Sequence, residues 1–182
     1  MLRFFIIFFL LILTSYSNAE IKDGIIQNLK NTNNLDFKFE QNINGKIENG
    51  NCTIEYPKKI FCEYARSNNK VLVSNGKSLV IKTRTSYYRY PLEKTPLNLI
   101  LDKNFLINKI YSLEENIIDN SYIKYTIKEN DNKIDIFFDI ISLELIGWQT
   151  KDIYQNTALT LLGPIIKNQD IKKKLFNLPI QN

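Results

Sequence analysis

Between residues 20 and 43 the hydrophobic period of the chain changes once, and the change marks a passage from helix to sheet. Ile21, Ile25, Ile26 and Leu29 fall on one side of a 3.6-residue repeat, which predicts an amphipathic helix over Glu20 to Lys30. Gly24 costs that helix about 1 kcal/mol relative to alanine, so docking must supply part of its stability. From Leu35 the period is two. Leu35, Phe37 and Phe39 alternate with Asp36, Lys38 and Glu40, and Ile43 keeps the phase, as in a strand with one buried face. Asn44-Gly45 follows, and both residues tolerate the positive φ of a tight hairpin turn, so a strand returns over Lys46 to Glu55.

The arrangement recurs along the chain. Val71 to Ser74 and Ser78 to Lys82 flank Asn75-Gly76, and Tyr87 to Tyr90 extends the meander. Tyr122 to Lys128 and Lys133 to Asp139 flank Asn130-Asp131-Asn132, and Leu143 to Asp152 and Thr157 to Leu162 complete the set. Ten or eleven short strands joined by hairpins predict an antiparallel sheet. Thr95-Pro96 interrupts it as a helix start, a hydroxyl for the N-cap and proline in the first turn, with Leu97, Ile100 and Leu101 sharing one face and a second short turn over Asn104 to Asn108. Asp170 is placed to cap a short helix over Ile171 to Phe176 before Pro179 stops it. The expected class is α+β, predominantly antiparallel β: a single strongly curved, incomplete β-barrel of about eleven strands, with helices covering a concave apolar face.

The N-terminus reads differently. Met1-Leu2-Arg3 is basic, Phe4 to Leu13 is unbroken apolar sequence, and Ser17-Asn18-Ala19 puts small residues where a signal peptidase reads. Ten apolar residues are about half of the roughly 20 that span a bilayer, so a signal peptide over 1–19, cleaved after Ala19, is expected rather than an anchor. Residues 20–182 show no linker, repeat or low-complexity segment and are expected to form one domain. Composition then narrows the chemistry. The chain has no histidine, which removes His-based acid/base catalysis and His-ligated zinc. Two cysteines without a Cys-x-x-Cys exclude a thiolate metal cluster and a thioredoxin motif. The net charge of +5 is spread along the chain, and an exported destination argues against nucleic acid. No enzyme, cofactor or metal is expected, and the chain is expected to be a monomer.

Five stretches carry a resemblance. Leu35 to Gln41 reads LDFKFEQ, Tyr56 to Tyr64 reads YPKKIFCEY, and Val73 to Ile81 reads VSNGKSLVI. Tyr90 to Leu101 reads YPLEKTPLNLIL, and Leu143 to Leu162 reads LELIGWQTKDIYQNTALTLL. In this order the segments resemble the periplasmic outer-membrane lipoprotein carriers of the LolA family, in its alphaproteobacterial branch. The resemblance implies a periplasmic chaperone that binds the acyl chains of lipoproteins in an apolar cavity and carries them from inner to outer membrane. It also implies an inner-membrane, ATP-driven lipoprotein release complex as donor and an outer-membrane receptor lipoprotein as acceptor. The family's arginine before the proline, which helps to hold a helical lid closed, is Tyr56 here. A phenol has one O–H where a guanidinium has five N–H donors, so only a thinner latch is expected. Family aromatic positions on the next strand are Ile60 and Cys62.

Physical chemistry reaches the same cavity independently. An acyl chain of roughly 14 methylenes left in water costs on the order of 11 kcal/mol, so a carrier must hide it. Phe37, Phe39, Ile54, Ile60, Tyr64, Leu72, Leu97, Ile100, Leu101, Phe137 and Trp148 are the candidates for the inner wall or the underside of the lid, with Tyr56 at the latch. Each is equally compatible with ordinary core. Tyr87, Tyr88 and Tyr90 suit either an entrance or a plain aromatic ladder, while Lys172 to Lys174 suits contact with anionic lipid headgroups or, as the commoner role at helical spacing, a solvated face. Asp135, Asp139 and Glu144 suggest paired carboxylates but flank turns, where solvation is the commoner role. A second functional class uses the same sheet as a periplasmic regulatory domain that senses lipid or outer-membrane protein.

A register with Ile54 opposite Ile60 also places Cys52 opposite Cys62, since both pairs are two residues apart on their strands. Export supplies an oxidising compartment, so a disulfide between Cys52 and Cys62 is expected.

Overall fold

Eleven strands form one antiparallel sheet whose order follows the chain, with one exception. In the computed structural model, which describes residues 20–65, 68–129, 132–151 and 155–181, the strands are β1 (Asn34–Ile43), β2 (Lys46–Glu55), β3 (Lys59–Tyr64), β4 (Val71–Asn75), β5 (Ser78–Lys82), β6 (Tyr87–Pro91), β7 (Asn116–Ile118), β8 (Tyr122–Glu129), β9 (Asn132–Asp139), β10 (Leu145–Lys151) and β11 (Thr157–Lys167). The spatial order is β6-β5-β4-β3-β2-β1-β11-β10-β9-β8-β7. Hairpin neighbours pair throughout, and the exception is β1 with β11, which joins the two meanders. β6 and β7 are the edges, so the barrel is incomplete, as the sequence pattern predicts. The expected signal peptide and the Asn130-Asp131 part of the β8–β9 turn lie outside the described residues.

Alternation assigns the faces. Phe37, Cys52, Cys62, Leu72 and Ile81 are successive partners across β1 to β5 and form one inner row. Helix α1 (residues 20–30) adds Ile25, Ile26 and Leu29 to the same buried cluster. Ile100 and Leu101, at the end of α2 (Leu97–Ile100), and Leu106 and Ile110 of α3 (Lys103–Ser112) complete it. Gly24 lies against the β9–β10 turn: a Cβ there would stand 2.4 Å from Cδ1 of Leu143, a side-chain end that would have to turn aside.

Four local expectations change. Thr95 does not cap α2; its hydroxyl donates back to the Leu92 carbonyl at 2.8 Å, and Pro96 occupies the cap position. The second helix is longer than Asn104 to Asn108, because the Asp102 carboxylate accepts from the Phe105 N–H at 3.1 Å and starts α3 early. β11 does not stop at Leu162. Its register shifts between Phe37↔Ile165 and Phe39↔Leu162, a bulge that absorbs Gly163-Pro164 and lets pairing resume to Lys167. No helix forms over Ile171 to Phe176; the segment turns, with Lys174 at φ 67°.

That C-terminal segment instead crosses the outer face. Gln169 N–H donates to Asn34 on β1, the Phe176 ring lies 5.7 Å from Lys59 Nζ on β3, and the Ile180 carbonyl accepts from Lys82 on β5 at 2.7 Å. On this face Val73 and Val80 are buried, at 1% and 0% exposure, although they do not join the inner cluster. Truncation after Gln169 is expected to uncover them at a cost of roughly 1.5–3 kcal/mol each, read as a lowered melting temperature.

The cysteine register holds: Ile54 opposes Ile60, Cys52 opposes Cys62, and a disulfide joins the pair with Cα atoms 4.1 Å apart. Closing a loop of 10 residues stabilises by about 2 to 3 kcal/mol in the chain-entropy model. Alkylation of the denatured, unreduced protein should label neither cysteine, and reductant should lower the melting temperature; labelling of both would remove the bridge.

Candidate functional site

A flat sheet would hold Tyr90 of β6 and Trp148 of β10 roughly 34 Å apart, seven interstrand steps of about 4.8 Å. Both nevertheless line one cleft of about 360 Å³, so the sheet curls until its two halves face each other. No residue of α1, α3, β7, β8 or β9 lines that cleft. The two longer helices are occupied elsewhere: Asn28 of α1 donates to the Ser142 and Leu143 carbonyls, and Lys109 of α3 pairs with Glu129 of β8 at 2.7 Å. They fill the β7–β10 half of the inner face. The cleft is what remains, walled by residues of β1 to β6 and by Trp148, Thr150 and Lys151 of β10 and Thr160 of β11, and closed on one side by Pro91 and Lys94 to Leu97.

Its wall is built around a missing side chain. Phe39, Gly50 and Tyr64 are partners across β1, β2 and β3. A Cβ on Gly50 would meet the Glu63 carbonyl at 2.0 Å and the Phe39 ring at 2.9 Å, and without it the Phe39 and Tyr64 rings close to 4.9 Å, edge to face. Leu72, Leu79, Ile81, Ile60 and the disulfide continue the apolar surface, and Trp148 faces them, with the Phe37 ring edge-on behind it at 6.3 Å. A polar corner breaks the lining where Gln41 Nε2 donates to Thr160 Oγ1 at 2.9 Å, beside Thr150.

Charge gathers next to that wall. Glu48 is buried, and burial alone would raise its pKa, but Lys70 at 2.5 Å and Lys46 at 3.1 Å hold it below the ordinary carboxylate range. Lys70 Nζ also lies 3.9 Å from the centre of the Tyr64 ring. Burial, with a smaller contribution from the Glu48 carboxylate, pushes the Tyr64 phenol up, so it stays protonated.

The helical cover is fastened by Lys58, not by Tyr56. Lys58 N–H donates to the Leu101 carbonyl at 2.8 Å, its carbonyl accepts from buried Ser74 Oγ at 2.9 Å, and its ammonium stands 3.3 Å from Asp102. Lys103 adds a bond to the Thr32 carbonyl at the end of α1, at 2.8 Å. Tyr56 Oη is buried with no hydrogen-bond partner among the described residues, and burial raises its pKa. Among the described residues Tyr56 therefore meets the cover through its ring, 5.8 Å from Lys103 Nζ of α3, and not through a hydrogen bond of its hydroxyl. Its side chain lies in a separate small crevice with Leu29, Leu145 and Ile165.

Of the sequence candidates, Phe39, Ile60, Tyr64, Leu72, Leu97 and Trp148 line the cleft. Ile54, Ile100 and Leu101 are fully buried in the core away from it. Phe137 is on the wrong face. Ile134, Ile136 and Phe138 carry the inner phase of β9, while Phe137 meets the Tyr122 ring on the other side at 5.6 Å. Sequence reasoning missed Gln41, Ile43, Ile81, Lys70, Lys94 and Lys151; Gln41 and Ile43 were legible as the continuation of the Phe37 and Phe39 phase. Tyr90 lines the cleft and Tyr88 is exposed. The three carboxylates part company: Asp135 accepts from Thr126, Asp139 closes the β9–β10 turn through the Ser142 and Ile141 N–H groups, and Glu144 pairs with Lys167.

The family model described as outer membrane lipoprotein carrier protein LolA matches residues 30–179. The chain belongs to the LolA family. All five LolA-like motifs fall within the matched range, and the LDFKFEQ strand is β1, whose Phe39 and Gln41 both reach the cleft. No curated protein sequence matches. Among solved structures, the chain is similar to an uncharacterized conserved protein of Thermus thermophilus, at 9% identity and TM-score 0.51 over 90% of this chain and 94% of that one. A LolA superfamily protein of Nitrosomonas europaea has 7% identity and TM-score 0.47, covering 88% and 97%. LprF of Mycobacterium bovis has 11% identity and TM-score 0.47, covering 86% and 96%.

The two leucines of the cover now separate. Leu97 is half-buried against the cleft, whereas Leu101 is fully buried. Leu101→Glu buries an unpaired charge and should cost more than about 4 kcal/mol, abolishing the cooperative melt. Leu97→Glu should leave the β-sheet circular dichroism intact and weaken uptake of a neutral apolar dye. Equal unfolding by both would make Leu97 core and not wall.

Proposed function

We propose that this LolA-family protein is a periplasmic chaperone whose cleft holds the acyl chains of lipoproteins between the inner and the outer membrane. The observation that carries the reading is the cleft itself: about 360 Å³, within the roughly 300–1,000 Å³ of ligand pockets, with a wall mostly of aliphatic and aromatic side chains. Each methylene moved from water onto that wall gains about 0.8 kcal/mol, so burying part of one chain makes transfer worthwhile without any chemical step. On this reading the protein is not an enzyme and needs no cofactor. It is exported by a signal peptide over 1–19, acts as a single domain over 20–182, and diffuses as a monomer. An inner-membrane, ATP-driven release complex loads it, and an outer-membrane receptor lipoprotein, where the cell has one, unloads it.

The test is mass spectrometry of the protein purified from periplasm, joined to a release assay with proteoliposomes containing the release complex and a lipoprotein. A stoichiometric co-purifying lipoprotein, and release that depends on adding this protein, are expected. Free lipid alone, with no release, would favour the regulatory reading and overturn the carrier.

A further inference from the structure

The charged lining of the cleft is of one sign. Among the described residues Lys70, Lys94 and Lys151 line it and no carboxylate does. Lys70 is engaged by Glu48. Lys94 and Lys151 are exposed at the rim, and among the described residues neither has a carboxylate partner. Next to Lys151 stands Thr150, facing the polar corner of Gln41 and Thr160. These side chains supply neutral hydrogen-bond donors beside a cation, in a cleft that is otherwise apolar. The amide, thioether and ester groups of an acylated cysteine carry no charge, so an uncharged acyl head leaves both ammonium groups unanswered.

We propose that the cleft also takes free anionic amphiphiles, the acyl chain against Phe39, Leu72, Ile81 and Trp148 and a phosphate or carboxylate head at the rim formed by Lys94 and Lys151. The proposal rests on the acyl-chain reading of the cleft and adds to it a head-group preference. Ammonium groups at a solvent-facing rim attract a phosphate or carboxylate without a buried-charge penalty, and salt screens that attraction.

The experiment is displacement of the neutral dye N-phenylnaphthylamine from the purified protein by oleate, monooleoyl phosphatidic acid and monooleoylglycerol, which share one chain and differ in head. A triacylated cysteine peptide of neutral sequence is titrated in parallel. Both anionic ligands are expected to bind roughly fivefold tighter than the glycerol ester, the size of two exposed charge pairs. The ratio should fall towards one in high salt and in the Lys94→Ala/Lys151→Ala double variant. Preference for the phosphate alone identifies a phospholipid head; equal preference identifies a general anion rim, and either supports the proposal. Equal affinity for charged and neutral ligands, with the lipopeptide bound, overturns the anion rim and leaves the carrier reading standing. Failure of every ligand, the lipopeptide included, overturns both.

Discussion

The antiparallel pairing of β1 with β11 is the contact on which the rest of the molecule depends. Every other strand pair joins neighbours along the chain, so each hairpin can form locally at modest loop-closure cost. β1 and β11 are separated by more than a hundred residues, and their ladder from Leu35↔Lys167 to Ile43↔Ala158 turns two meanders into one sheet. Without it Trp148 and Phe39 belong to different sheets. With it they face one cleft, and the bulge at Gly163-Pro164 adds local twist at the seam where the curl is needed.

Once the sheet is curled, the amount of helix decides how much of its inner face stays open. α1 and α3 bury Ile25, Ile26, Leu29, Leu106 and Ile110 in the cluster that includes Ile123, Tyr125 and Phe138. α2 is a single turn and reaches only the margin of the other half, where Leu97 remains half-buried. The uncovered wall is kept smooth by omission: Gly50 has no side chain to fill the space that Phe39 and Tyr64 share. A sheet of this curvature with a third long helix would be a solid core; with one turn of helix it retains a cleft.

What the sequence reveals and conceals follows from the same physics. Strand positions are legible where polar residues punctuate apolar ones, as at Leu35 to Ile43, and the disulfide is legible because one register satisfies both Ile54–Ile60 and Cys52–Cys62. The phase of Ile136-Phe137-Phe138 is legible by the same rule, since Lys133, Asp135 and Asp139 share the face of Phe137 while Ile134, Ile136 and Phe138 share the other; placing Phe137 on the wall overlooks those flanking charges. Pro164 hides the second half of β11, because a bulge that tolerates proline leaves no periodic trace. The polar rim is concealed most. Lys70, Lys94 and Lys151 come from a loop, a short 3₁₀ turn and a strand end, and only the curl brings them to one cleft.

Two fastenings of different strength meet at the β2–β3 hairpin. The wall is pinned covalently by Cys52–Cys62, four residues short of the Lys58 turn on either side and held by ladder bonds on both flanks. The cover attaches to that same turn through one backbone hydrogen bond to Leu101 and an ion pair, Lys58–Asp102, in which both side chains remain about a third exposed. Such a bond is worth about 0.5–1.5 kcal/mol and such a pair about 0–1 kcal/mol. The polar fastening of the cover is therefore weaker than the covalent one of the wall, and burial of Ile100 and Leu101 supplies most of the hold on it. Since α2 buries Ile100 completely and Leu97 only in part, the end of the cover that carries Pro96 and Leu97, both of which line the cleft, is its less firmly seated end.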